Sequence, residues 1–486
     1  METKETFFAR GRADVERNAR IQPDRRRARN VILFLGDGMG VSTITAARIL
    51  DGQQKGMRGE ENVLSWEKFP YLAHSKIYQA NQQVPDSAPT MTSIVTGSKT
   101  NEGMLSIAPE VLGPDFAAAA RPENRLRTIL EQAEERGMWT GVVSTARITH
   151  ATPAACYAHT PARDAESDAD LAALDPAAAS AGYPDIARQL VEFRVRPTTM
   201  NGKPSPGLEV ALGGGREKFL RTTDADPEYP GRTGERRDRD LAAAWAARGG
   251  AWVWDRRGFE AIDPATTGPV LGLFEPSHMQ YELDRGKDRA GEPSLTEMTE
   301  KAIRILERGP AGYFLMVEGG RIDHGHHEGN AIHALTDTIE MARAVEKAAA
   351  LAGDDTLIVV TADHGHVFAI GGYPVRGNPI LGLVVANGED GRPEAAPTKD
   401  AADGKPYTTL VYANGPGAVA GRRPDLSGVD TAAPGFRQPS GVPMSSETHS
   451  GEDVVVYARG PGAYLVSGTM EDNAIYFVMA RALGME

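Results

Sequence analysis

The densest chemistry in the chain lies in Val317-Glu318-Gly319-Gly320-Arg321-Ile322-Asp323-His324-Gly325-His326-His327-Glu328, which holds three histidines and three carboxylates in twelve residues. Imidazole and carboxylate are ligand types that zinc favours. Asp323 and His327 stand four apart, so one helical turn would bring both to a single ion. Similar groups recur elsewhere. Asp37 lies in Gly36-Asp37-Gly38-Met39-Gly40, Asp363 and His364 in Ala362-Asp363-His364-Gly365-His366, and His449 in Glu447-Thr448-His449-Ser450-Gly451-Glu452. The segment from Ser144 to Arg163 is a fifth. Each has a plainer reading taken alone. An Asp after a strand commonly caps a helix, and a His-rich stretch can be a solvated loop. Together they form a set that a purely structural protein has little reason to assemble. Ser87, in Val84-Pro85-Asp86-Ser87-Ala88-Pro89, is the candidate nucleophile. A helix starting there, with Pro89 in its first turn, would favour an ionised Ser87 oxygen and an incoming anion. The plainer alternative is that Asp86 or Ser87 only caps that helix. No G-x-S-x-G elbow surrounds Ser87, so a metal is the expected activator rather than a Ser-His-Asp triad.

The elements that must position these groups are legible as apolar runs. Val31 to Leu35, Tyr313 to Val317 and Thr356 to Thr361 read as buried parallel strands, each delivering ligands at its carboxyl end. Trp139 to Ser144, Leu208 to Leu212 and Asp453 to Tyr457 read as further strands. Ser42 to Leu50, Leu126 to Arg136, Pro293 to Arg308, Ala331 to Ala350 and Asn473 to Leu483 read as helices. This alternation predicts an α/β fold: one large domain with a central, mainly parallel sheet and helices on both faces. The expected division is an N-terminal arm over 1–30, a catalytic domain over 31–373 and 444–486, and a Gly-, Pro- and Asp-rich insertion over 374–443. Residues 221–240 read as surface loop.

Composition excludes several functions. Hydrophobic residues make up 41% of the 486, enough for a sizeable core. A net charge of −13 argues against a nucleic-acid binder, so positive charge for any phosphate must be local, from metal ions or a placed arginine. A single cysteine, Cys156, excludes an intramolecular disulfide framework and a Cys-based zinc module. No apolar run reaches membrane-spanning length, and Met1 to Glu5 lacks the features of a signal peptide. The residues alone therefore leave two options: a cytoplasmic protein, or an exported one whose leader has been removed.

In order and spacing, Gly36-Asp37-Gly38-Met39-Gly40, Asp86-Ser87-Ala88, His150-Ala151-Thr152-Pro153, Val317-Glu318-Gly319, Thr361-Ala362-Asp363-His364 and Thr448-His449-Ser450-Gly451 resemble the alkaline phosphatases. The resemblance runs from about residue 5 to about 482. Val317 to Glu328, Leu273-Phe274-Glu275-Pro276, Gly371-Gly372-Tyr373-Pro374 and Gly451-Glu452-Asp453-Val454 look more like the animal-type enzymes than the enteric bacterial type.

What the resemblance implies is specific. Asp323, His327 and His449 match the ligands of a first zinc. Asp37, Asp363 and His364 match those of a second, with Ser87 as its exchangeable ligand. Asp37 would also bridge to a magnesium held by Glu318 and Thr152. Arg163, thirteen residues after His150, matches the phosphate-binding arginine. His150 and His324 match histidines around the magnesium site of the animal type, and His326 and His366 match no ligand. The implied reaction is broad phosphate monoester hydrolysis by a two-zinc, in-line mechanism through a phosphoserine, with inorganic phosphate as product and inhibitor. A homodimer embraced by the arm, a crown-like insertion and a periplasmic or secreted location follow from the same likeness. So does a calcium site, with carboxylates from Glu228 and Glu275 and the carbonyl of Phe274. Its fourth ligand would be Glu292, before Pro293-Ser294, where the family places an aspartate and a loop about two residues shorter. Two rival enzyme readings weaken on particular residues. Sulfatases need an arginine where Met91 stands, and related phosphodiesterases usually carry threonine at the nucleophile. The third rival is a metal-binding protein with a dead site, against which the complete ligand set argues.

Overall fold

The computed structural model describes residues 3–193 and 207–485. Residues 1–2 of the expected arm, and residues 194–206 and 486 of the expected catalytic domain, lie outside that range. A ten-stranded sheet forms the centre. In spatial order its strands are Gly468–Glu471, Tyr71–Lys76, Val454–Arg459, Thr356–Ala362, Asn30–Gly36, Tyr313–Gly319, Trp139–Arg147, Val210–Gly214, Val270–Leu273 and Ala251–Val253. All neighbours are parallel except Val454–Arg459, which runs antiparallel to the strand on either side. The predicted α/β class is therefore the observed one.

The sheet has a core on each face. Along Asn30–Gly36, Val31, Leu33 and Leu35 pack with Met91, Ile94 and Val478 on one side. Ile32 and Phe34 pack with Ile44, Met298 and Leu335 on the other. Every residue of that strand is buried. Side chains alternate across a strand, so a strand covered on both faces reads as a nearly continuous apolar run, and its buried Asn30 is paired with Thr356 at 3.1 Å.

Four neighbouring parallel strands end at the same edge, each bringing a candidate ligand there. Asn30–Gly36 delivers Asp37, Tyr313–Gly319 carries Glu318, Thr356–Ala362 delivers Asp363, and Trp139–Arg147 leads to His150. Register fixes their relation: Leu35 lies opposite Glu318, Gly36 opposite Ala362, and Ser144 opposite Glu318.

The insertion is built differently. A separate three-stranded sheet joins Phe368–Ile370, Leu410–Gly415 and Ser440–Pro443. The N-terminal arm is a helix, Lys4–Asn18, with Phe7 and Phe8 exposed. The Phe7 ring faces Arg376 at 6.0 Å, which links the arm to the insertion. Among the described residues no helix is long and apolar enough to cross a membrane.

The loop reading of 221–240 holds for the backbone but not for burial. Arg236 is fully buried and forks onto Asp185 at 2.9 Å on each side. Asp226 and Glu228 are buried against Arg216. Charged composition suggested solvent, but paired charges can be buried.

Candidate metal and phosphate centre

The residues from Arg321 to His327 form a short helix, as the four-residue spacing required. It brings His327 Nε2 to 3.3 Å from Asp323 Oδ1. His449, from a two-residue strand paired with Gly365–His366, places its Nε2 3.3 Å from Asp323 Oδ1 and 3.1 Å from His327 Nε2. Tetrahedral zinc ligands at about 2.0–2.1 Å stand roughly 3.3 Å from one another, so this triangle has the size of a zinc face.

The imidazoles are also oriented for ligation. His327 Nδ1 donates to the Glu447 carbonyl at 2.6 Å and His449 Nδ1 to the Pro85 carbonyl at 2.8 Å. A ring whose Nδ1–H is held this way, when neutral, presents a lone pair at Nε2.

A second triangle lies beside the first. His364 Nε2 is 3.4 Å from Asp37 Oδ1 and 3.3 Å from Asp363 Oδ2. Ser87 Oγ sits 3.3 Å from Asp37 Oδ1 and 3.2 Å from His364 Nε2. The His364 and His449 rings stack with centroids 3.5 Å apart, so the two clusters share a wall. Ser87 is the first residue of the helix Ser87–Thr96, and Asp86 is its N-cap, accepting from Ala88 N at 3.2 Å. The capping reading and the nucleophile reading thus fall on different residues.

A third position is all oxygen at its core. Asp37 Oδ2, Glu318 Oε1 and Thr152 Oγ1 are buried, and no hydrogen-bond partner for them lies among the described residues. Ser144 donates to the other Glu318 oxygen. Donor atoms of Asp37, Glu318 and His150 lie within 4.8 Å of one another. Burial, the Asp363 charge and others push the Glu318 carboxyl up to about 7, with Ser144 opposing. Burial, with the charges of Asp363, Asp323 and Glu318, raises that of Asp37 well above the usual carboxylate range. Four buried carboxylates sharing one pocket are costly without cations. Their unpartnered oxygens fit metal ions, and the donor types divide accordingly: each triangle includes imidazole nitrogen, as zinc favours, and the third position is oxygen at its core, as magnesium favours.

Arg163 contacts the Asp86 carboxylate through Nη1, and its Nη2 is 3.1 Å from His150 Nε2. It is thereby held beside Ser87. His324 Nδ1 accepts from Arg321 at 2.9 Å. His326 is tied to Thr43 and Tyr412 at 2.9 and 2.8 Å, which uses both its nitrogens.

Three contributors lie outside the matched ligand set, and the first, His366, is a local hydrogen-bonding group, as a histidine matching no ligand position would be. His366 donates to Glu447 at 2.5 Å and to Asp323 at 3.0 Å. Burial pulls its pKa down, but those two carboxylates outweigh it and hold the ring charged, at about 9. Glu447 therefore braces both His366 and, through its carbonyl, His327. His278 joins His150 and His324 in a cluster with centroids 5.3 and 4.2 Å away, and it lies 2.7 Å from Arg147 Nη1. Only its place three residues after Glu275 in the motif-bearing loop could have drawn attention to it.

The calcium candidates also converge in part. Glu228, Glu275 and Glu292 are all buried. The Phe274 carbonyl accepts from Arg216 Nη1 at 2.9 Å, and Glu228 accepts from Arg216 Nη2 at 2.6 Å. Burial and the charges of Glu275 and Asp288 push Glu292 up to about 9.

The comparisons agree with this geometry. The family profile described as alkaline phosphatase matches residues 28–485. The chain is 46% identical over 467 residues to the tissue-nonspecific alkaline phosphatase of Gallus gallus, covering 94% of this chain and 84% of that protein. It is 44% identical over 476 residues to an alkaline phosphatase of Gadus morhua, covering 94% and 92%. Among solved structures, the Thermus thermophilus alkaline phosphatase superposes with a TM-score of 0.65 at 23% identity, covering 96% of this chain and 93% of that one. The enzyme of the Antarctic bacterium TAB5 gives 0.61 at 21%, covering 96% and 100%. At those identities the likeness speaks for the fold, while the profile and the closer relatives carry the family. The chain belongs to the alkaline phosphatases, a family of metal-dependent phosphate monoester hydrolases.

Proposed function

We propose that this protein hydrolyses phosphate monoesters of broad structure through a covalent phosphoserine on Ser87. The observation that carries the reading is the position of the Ser87 hydroxyl. It stands at a helix N-terminus, 3.2 to 3.3 Å from two groups of a carboxylate–imidazole cluster. Arg163 is held beside it by Asp86.

Asp323, His327 and His449 would hold one zinc, Asp37, Asp363 and His364 a second, and Asp37, Thr152 and Glu318 a magnesium. Bound there, the ions would lower the pKa of the Ser87 hydroxyl and neutralise charge on the phosphate and the leaving oxygen. The chain's own residues do the rest. Ser87 Oγ attacks phosphorus in line, the bond to the substrate's alcohol oxygen breaks, and the alcohol leaves with a proton. Arg163 holds two non-bridging oxygens with its planar fork, a geometry a lysine lacks. Water then cleaves the Ser87–phosphorus bond and releases inorganic phosphate, which binds the same groups and so inhibits. His150 and His324 orient the magnesium surroundings. A neutral imidazole holds metal-bound waters less firmly than a carboxylate, so magnesium should be the ion most easily lost.

The arm over 1–30 serves a homodimer, the exposed Phe7 and Phe8 being the faces a partner would cover. The segment 374–443 forms the crown-like part beside it. Calcium held by Glu228, Glu275, Glu292 and the Phe274 carbonyl stabilises the loop-rich region. A periplasmic or secreted location fits this family membership.

The deciding assay is release of p-nitrophenol from its phosphate monoester, sulfate and phosphodiester, with and without a chelator. Chelator-sensitive monoester turnover is expected to dominate. The Ser87→Ala variant should lose several orders of magnitude in rate while keeping its metals. Dominant sulfate or diester turnover, or a Ser87→Ala enzyme at wild-type rate, would overturn the reading.

A further inference from the structure

We propose that Asp288 is a ligand of the calcium seat, so that the cation is held by four carboxylates, Glu228, Glu275, Asp288 and Glu292. The inference rests on the calcium reading above but adds a residue that the family pattern does not supply. Asp288 follows the turn Arg285–Lys287, in the loop that is about two residues longer than the family's.

Both Asp288 carboxylate oxygens are buried, and among the described residues neither has a hydrogen-bond partner. The same holds for Glu292 Oε2, on a residue only 2% exposed. The other Glu292 oxygen accepts from Gln280 N at 2.9 Å. Glu275 Oε1 accepts from Tyr229 Oη and Gln280 Nε2 at 3.0 and 2.8 Å. Asp288 stands close enough for its charge to act on Glu228 and Glu292. Carboxylates gathered in a buried pocket repel one another, and a cation among their unpartnered oxygens relieves that cost. The buried guanidinium nearby does not fill that role. Arg216 is taken up by Asp226, Glu228 and the Phe274 carbonyl.

The loop is folded to deliver Asp288. Ala290 N donates to Glu228 Oε1 at 3.1 Å, which fastens the loop to the opposite ligand. Gly291 turns the chain at φ +76°, a conformation that side chains rarely adopt. The result is an oxygen-only group carrying several unpartnered lone pairs. That donor set suits calcium, which takes six to eight oxygens in flexible geometry, and it lacks the nitrogen or sulfur donors typical of zinc sites. Asp288 adds to the Phe274 carbonyl, one of whose two lone pairs accepts from Arg216.

The test uses the full-length zinc- and magnesium-loaded enzyme, stripped of calcium with a calcium-selective chelator. Ca²⁺ binding is titrated calorimetrically. Tb³⁺ luminescence, excited through Tyr229, gives a second readout independent of activity. Asp288→Asn should weaken Ca²⁺ binding at least tenfold and shrink the calcium-dependent rise in melting temperature. Its phosphatase turnover, expected to be retained, reports that the variant is folded. Glu275→Gln should abolish the calcium response. If Asp288→Asn binds like wild type while Glu275→Gln does not, Asp288 is no ligand and the family-matched seat stands without it. If the wild type takes up no calcium, the seat itself falls, and Asp288 with it. Neither result touches the phosphatase reading.

Discussion

One methyl group at Gly38 would test the architecture of the centre. Gly38 has φ +67°, and an added Cβ would stand 2.2 Å from His366 Nε2 and 2.5 Å from its Cδ2. The ring cannot yield cheaply. It is buried and held at both ends, by Glu447 at 2.5 Å and by Asp323 at 3.0 Å. The left-handed backbone alone costs a residue with a Cβ roughly 1–2 kcal/mol. Displacing His366 loses two hydrogen bonds between charged groups, each worth about 1.5–3 kcal/mol. Gly38→Ala should therefore destabilise the protein by about 4–8 kcal/mol, a large part of the roughly 5–15 kcal/mol typical of a folded domain. Because Asp323 loses its brace, zinc should also be retained less well. The assay is denaturant unfolding together with zinc content after dialysis. A double-mutant cycle isolates the cause. In a His366→Ala background the obstructing ring is gone, and Gly38→Ala should cost only the backbone term of about 1–2 kcal/mol. Equal costs in the two backgrounds would refute the reasoning.

Other positions give sharper single readouts. Arg163→Lys keeps the charge but loses the planar fork, so kcat/KM for p-nitrophenyl phosphate should fall roughly ten- to hundredfold, one charge-assisted hydrogen bond's worth. His278→Ala removes a ring packed on His150 and His324, and the Mg²⁺ concentration for half-maximal activation should rise severalfold with zinc content unchanged. Burial, opposed in part by Arg321, raises the Asp337 carboxyl to about 8. The folded protein thus keeps a proton that the unfolded chain releases near pH 4, and the stability this provides is full below that pH and lost as pH rises through 8. Asp337→Asn should flatten the decline by about 1.4 kcal/mol for each pH unit between 4 and 8, about two of which are crossed in melts compared at pH 6 and pH 9. A chain lacking residues 1–25 should sediment as a smaller species, and unchanged sedimentation and melting would remove the dimer role of the arm.

Local pattern was enough for much of this protein. Val31 to Leu35 announced a buried strand because a strand covered on both faces admits no polar residue. Asp323 and His327 announced a shared ion because a helix sets residues four apart side by side. Asp37 and Asp363 announced themselves by following apolar runs, since parallel strands end where their turns can meet. These signals act over a few residues, and a sequence displays them directly.

Tertiary structure alone decided how separate segments complete one another. The Nε2 lone pairs of His327 and His449 are aimed by carbonyls of Glu447 and Pro85, more than a hundred residues away in the chain. His366 became a charged brace only because packing set it between Glu447 and Asp323, and His278 joined His150 and His324 from a loop after another strand. Arg236 and Asp226 looked like charges in a polar loop, yet both are buried in ion pairs. Whether a charge is solvated, paired or aimed at an ion depends on what the sheet order places against it. That is fixed by contacts across hundreds of residues, which the local spacing of amino acids does not record.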